Sequence, residues 1–189
     1  GSVRKTQGDV DIYRTLLNAP SSSEELLLSS AEPKFPIDRS ADGRFLLYDS
    51  IDRKGSTDLW ALPLEGERTP FEVVRTDFNE GLGQFSPDGK WMAYQSDKTG
   101  RSEIYLRPFP GPGAEWRASI DGGSQARWNP NGRELFYIGT DDRLMAVPIR
   151  VSADGKALEP GAPIGLFATN VGSTANLVYR QQYMVSADG

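Results

Sequence analysis

Five polar side chains stand at fixed distances ahead of a repeated turn, which makes them the residues of this chain best placed for binding chemistry. Asp38, Gln84 and Arg127 each lie two residues before a turn opening at Ser40, Ser86 and Asn129; Lys34 and Glu80 lie six before it. In an extended strand, residues an even number apart share a face, so the five fall on one side of the strands that carry them. Charges of both signs beside an amide can grip a peptide, a glycan or a cation. The same row serves equally as a solvated channel wall whose charges pair between neighbouring sheets. A second recurring set, Asp42, Asp88, Asn131 and Asp188, would suit metal binding or proton transfer by type. Each directly precedes a glycine, however, where an Asx side chain bonds its own turn backbone. That structural role accounts for them.

Other chemistry is excluded by composition. The 189 residues contain no His and no Cys, so Ser-His-Asp and Cys-His catalysis, His-ligated zinc and disulfides have no place in this chain. A Gly-x-Ser-x-Gly elbow, a calcium loop and a phosphate-binding loop are likewise missing from the sequence. The expectation is therefore no enzymatic activity, no cofactor and no metal. With 21 basic against 26 acidic residues, the net charge is −5. No basic run interleaved with aromatics is present, so nucleic acid is not an expected partner. No run of apolar residues is long enough for a membrane-spanning helix, so no membrane insertion is expected in this segment.

These residues are positioned by a repeat. Phe85-Ser86-Pro87-Asp88-Gly89-Lys90 reads as a strand end and tight turn, and Trp91–Ser96 alternates as the next strand. The unit recurs at Ser40-Ala41-Asp42-Gly43 and at Asn129-Pro130-Asn131-Gly132, a period of about 45 residues typical of a propeller blade. Counting outwards from the axis, the inner strands are residues 34–39, 80–85, 124–128 and 180–185. Third strands fall at 11–17, 58–64, 103–109 and 143–149, and outer strands at 25–28, 70–75, 115–119 and 164–168. Residues 152–156 repeat the turn chemistry but make only a hairpin. The loops 52–55, 97–101 and 141–143 join second to third strands at the rim where the inner strands begin. The fold class expected is all-β: a β-propeller fragment of about three whole four-stranded blades plus partial blades at both ends. The boundaries are 1–8 tag and linker, 9–30 outer strands of a partial blade, 31–78, 79–121 and 122–170 as blades, and 171–189 the inner strand of a truncated blade. Open blade edges favour pairing between copies, so a homo-oligomer that completes the arc is expected. The aromatics Trp60, Trp91, Trp116, Trp128, Tyr48, Tyr94, Tyr105 and Tyr137 could stack sugars, but their repeated places favour the core between blades.

The unit Phe85–Lys90, its alternating strand and Asp97–Tyr105 resemble the Pro-Asp-type WD-like repeat of the TolB-like propellers. The propellers in front of prolyl-oligopeptidase and dipeptidyl-peptidase catalytic domains are built from the same repeat. Asp58–Gly66, Phe78–Gly81 and Arg107–Gly113 look like the C-terminal propellers of bacterial receptor-type Ser/Thr protein kinases. The likeness runs from about Asp11 to Gly189. It implies a non-catalytic sensor or docking platform for a protein, peptide or glycan, on the extracytoplasmic side, periplasmic or at the cell surface. The channel mouth would then be Lys34, Asp38, Glu80, Gln84 and Arg127. A gating propeller of a serine peptidase, without its catalytic domain, is the alternative. Kinase motifs are absent from this sequence, and Ala41, Asn131 and Ala187 depart from the repeat's Pro-Asp pattern.

Overall fold

The computed structural model describes residues 2–6, 9–15, 24–171 and 182–186, with the backbone alone at 2–6 and 9–10. Every regular element among them is a strand, and the strands form four antiparallel sheets. The first sheet runs β1 (Ser2–Thr6), β2 (Asp9–Arg14), β3 (Glu25–Leu28). The second runs β4 (Lys34–Arg39), β5 (Phe45–Ile51), β6 (Thr57–Pro63), β7 (Phe71–Val74). The third runs β8 (Glu80–Phe85), β9 (Trp91–Ser96), β10 (Glu103–Pro108), β11 (Trp116–Arg117). In the fourth, β12 (Ser124–Trp128), β13 (Glu134–Ile138) and β14 (Arg143–Val151) are followed by β15 (Leu158–Pro160) and β16 (Ile164–Ala168), both paired to β14.

The turns between first and second strands form for a legible reason. Ser40 Oγ donates to Asp42 Oδ1 at 2.6 Å and accepts the Phe45 N–H at 3.0 Å; Ser86, Asp88 and Trp91 repeat this at 2.6 and 3.0 Å. Asp42, Asp88 and Asn131 accept the N–H two residues on, from Arg44, Lys90 and Arg133. The glycine that follows each sits at φ 77°, 68° or 72°, a region open to glycine at little cost. The Ser40 hydroxyl and the Arg44 N–H and side chain hold the Asp42 carboxyl down at about 2. Ser152 and Asp154 build the same turn between β14 and β15. Asp188 lies outside the described residues.

The sheets stack face to face. Inner strand β4 lies beside β8, and β8 beside β12. Between the second and third sheets, Leu47, Leu59, Ala61, Phe85, Met92, Tyr94 and Phe109 form one buried cluster; between the third and fourth, Trp91, Ile104, Leu106, Trp128, Leu135, Tyr137 and Ile149 form the next. Each large side chain buried this way contributes about 1.5–3 kcal/mol. Gly83 permits the close approach: a Cβ there would lie 2.8 Å from the Leu59 side chain of the neighbouring sheet.

The arrangement is an open, partial β-propeller. Three details differ from expectation. Residues 2–6, where a tag and linker are expected, pair as β1 with β2 and so occupy the second-strand place of the first sheet. The lack of strand alternation in Ser2–Thr6 hides this, because backbone pairing there is imposed by β2. The expected inner strand at 180–185 is described only from residue 182, and 182–186 carry no regular strand. They nevertheless lie along β12, since Gln182 N–H donates to Gln125 Oε1 at 2.8 Å and Tyr183 OH to the Gln125 carbonyl at 2.8 Å. The outer strand expected at 115–119 is shortened to Trp116–Arg117.

Candidate functional site at the inner strands

The inner strands are bent by a shared device. Their pairing with the second strands shifts register at Pro36/Asp38, Gly81/Gln84 and Ser124/Arg127. In two of the three the bulge carries a non-glycine residue at positive φ, Leu82 at 52° and Gln125 at 56°, each four residues before its turn. The bulge turns the following side chain, two before the turn, towards the neighbouring sheet.

There it makes a repeated bond. Asp38 Oδ2 accepts the Phe85 N–H at 2.9 Å, and Gln84 Oε1 accepts the Trp128 N–H at 2.9 Å. Each acceptor thus satisfies the last inner-strand amide of the next blade. Arg127, third in the row, has no acceptor and instead donates from Nε to the Tyr183 carbonyl at 3.2 Å. All three are half-buried. Burial pushes the Asp38 carboxyl up, opposed by the Phe85 and Arg39 amides and by the Arg127 charge. Burial pushes the Arg127 guanidinium down, opposed by the Asp38 charge. Asp38 reaches the amide beside Gln84, and Gln84 the amide beside Arg127, so the three side chains follow one another from sheet to sheet at the turn ends of the inner strands.

Lys34 and Glu80 do not join them. Both are buried, at 4% and 1% exposure, rather than lining an open channel. Lys34 Nζ donates to Ser30 Oγ and, at 2.7 Å, to the Glu32 carbonyl. Glu80 Oε1 accepts from Thr76 Oγ1 at 2.6 Å and from Ser96 Oγ at 3.1 Å, while Oε2 has no partner among the described residues. Burial raises the Glu80 carboxyl above its usual range. The even spacing places the five residues in one row of the strand, but the bulge between positions six and two before the turn breaks that shared face.

Sequence reasoning did not single out Asp49. It is buried on β5 and has Oδ1 unpartnered among the described residues. Burial raises its carboxyl well above the ordinary range. Gly81 makes room for it, since a Cβ there would meet both carboxylate oxygens at 3.2 Å. The alternation of Phe45–Ile51 contains an acid at a core position, and that was the available signal.

No protein-family profile and no curated protein matches the sequence. Solved structures match the fold. TolB from Acinetobacter baumannii is similar with a TM-score of 0.60 at 18% identity, over 85% of this chain and 40% of the TolB chain. A prolyl endopeptidase gives 0.54 at 14% identity, over 86% of this chain and 25% of that one. A chain of the nidogen/laminin complex gives 0.52 at 14% identity, over 84% and 60%. The fold is thus that of TolB-like and other β-propellers, and the chain spans about two fifths of the length of the TolB it matches.

Proposed function

We propose that this chain is a non-catalytic propeller scaffold that docks a protein or peptide ligand at the axial mouth formed by Asp38, Gln84 and Arg127. Lys34 and Glu80 fix the opposite ends of the same strands. The observation that carries the reading is the repeated reach from blade to blade, Asp38 to the amide beside Gln84 and Gln84 to the amide beside Arg127, which sets the three side chains in sequence. Only the Nε of Arg127 is bonded among the described residues, which leaves the outer guanidinium nitrogens for a ligand carboxylate. The nidogen/laminin complex is a case in which a chain of this shape takes part in a protein assembly. The TolB-like repeat favours an extracytoplasmic setting.

The finer assignment is the sensor propeller of a bacterial receptor-type Ser/Thr kinase, resting on Asp58–Gly66, Phe78–Gly81 and Arg107–Gly113. The likeness to a prolyl endopeptidase favours a second reading, a peptidase's gating propeller. A kinase domain encoded beside this segment supports the first; an α/β-hydrolase supports the second. Self-association belongs to the proposal: Ile164, Leu166 and Phe167 on β16 are exposed, and no strand among the described residues pairs with its outer edge. A monodisperse monomer in sedimentation would remove that part.

The axial site is tested by crosslinking capture from an extracytoplasmic extract, comparing wild type with Arg127→Glu and Arg127→Lys of matched circular dichroism. The reading expects loss of the captured species in Arg127→Glu and retention in Arg127→Lys. Equal capture by all three removes Arg127 from the site.

A further inference from the structure

The seams between consecutive sheets are built alike, and the last of them lies beneath an open groove. Pro63 and Pro108 end β6 and β10, and Pro148 stands at the matching place within β14; in each case the next residue's N–H donates to the carbonyl just past the turn glycine. Leu64 bonds Arg44, Phe109 bonds Lys90 and Ile149 bonds Arg133, each at 2.8 Å. Leu64, Phe109 and Ile149 are therefore equivalent. Phe109 fills its seam: its ring lies 5.1 Å from Phe45, 6.0 Å from Phe71 and 4.7 Å from Phe85, centroid to centroid. In the next seam Trp91, Trp116 and Trp128 take the three surrounding places, but an isoleucine stands where the fourth ring would be.

What remains is a cavity of about 580 Å³, floored by Trp91, Trp128, Ile149 and Leu158 and opening at the rim that carries the Pro87 and Asn131 turns. That volume is within the range of ligand-binding clefts. Val151, half exposed, forms its lip. Arg133 and Arg150 also line it, both exposed, and neither is in an ion pair among the described residues. Glu159 faces Arg150 across the β14–β15 pair without bonding it. The one carboxylate in the lining, Asp88, is engaged by Ser86 Oγ and the Lys90 N–H of its own turn. On a chain of net charge −5, the groove thus offers an aromatic-walled seat beneath two free cations.

We propose that this groove is a second docking site, distinct from the axial mouth, which receives an aromatic side chain from an acidic segment of a partner protein. The incoming ring would seat over Ile149 at the mouth of the seam, between Val151 and the Pro87 turn, above the buried rings of Trp91 and Trp128. Carboxylates flanking it would pair with Arg133 and Arg150.

The test is calorimetric titration of the whole chain with the capped peptide Asp-Glu-Phe-Asp-Glu and its Phe→Ala counterpart. Saturable binding at least about tenfold tighter for the Phe peptide is expected. Ile149→Phe, which supplies the ring internally, should abolish it. Should that variant misfold, Val151→Trp blocks the lip from outside the core and should act alike. Arg133→Glu/Arg150→Glu should reverse the preference towards Lys-flanked Phe. No saturable binding by wild type, or undiminished binding by the blocked variants, overturns the proposal. So does self-association that the blocked variants lose, because the groove would then be occupied by a second copy of this chain.

Discussion

Gln84 Oε1 accepts the Trp128 N–H at 2.9 Å, reaching from one blade to the last inner-strand amide of the next. Asp38 makes the same bond to Phe85 one blade earlier. Removing the acceptor leaves a buried amide unpaired, at a cost of about 1–3 kcal/mol. Gln84→Ala should lower stability by that amount in urea unfolding, and Gln84→Glu, which keeps an acceptor, should lower it less. Equal losses would show that the bond is not what the side chain contributes.

The seam between the second and third sheets leaves no room at Gly83. Its added Cβ would meet Leu59 Cδ2 at 2.8 Å and Cδ1 at 2.9 Å. Gly83→Ala should cost about 1–3 kcal/mol through overpacking. Combined with Leu59→Ala it should cost less than the sum of the two single changes, as measured by a double-mutant cycle. Strict additivity would place the two residues apart.

Asp49 should make stability depend on pH. Its folded-state pKa is raised by burial. The stabilising protonated form is therefore fully present below the unfolded value of about 3.9, and its contribution is lost as pH rises through the folded value. Asp49→Asn mimics the protonated form. Its urea midpoint should match wild type near pH 4 and exceed it at pH 7.5, the gap opening as pH rises. A midpoint below wild type at neutral pH would contradict the assignment.

Phe109 sits among Phe45, Phe71 and Phe85. Phe109→Ala should cost about 3–5 kcal/mol, measured by thermal or denaturant unfolding. A loss under 1 kcal/mol would mean that the ring does not close the seam.

The fold was legible in the sequence to an unusual degree because its punctuation is local. A Ser-x-Asp-Gly turn needs only its own residues to form, so its recurrence at Ser40 and Ser86 marks where sheets begin, and alternation such as Trp91–Ser96 does the rest. β1 was not legible, because Ser2–Thr6 has neither alternation nor turn residues and is recruited by β2. Of the candidate site, the row of Asp38, Gln84 and Arg127 follows from spacing, but its chemistry does not. The bonds from Asp38 and Gln84 run to backbone amides about 45 residues away, and nothing in a side chain's type announces a backbone partner. Lys34 and Glu80 were grouped with them by even spacing, which fails wherever a bulge inserts a residue, as at Leu82. The groove at Ile149 needed three dimensions, since only superposing equivalent seams shows which ring is missing.

Residue-resolved hydrogen exchange on Asp38→Ala and Gln84→Ala tests most directly whether consecutive blades are clasped through their inner strands. Asp38→Ala should speed exchange of the Phe85 amide by about tenfold or more, equivalent to about 1.4 kcal/mol, while Trp128 stays protected. Gln84→Ala should do the reverse. If each variant leaves its assigned amide as protected as in wild type, or both amides lose protection together in both variants, the blade-to-blade clasp does not exist as described.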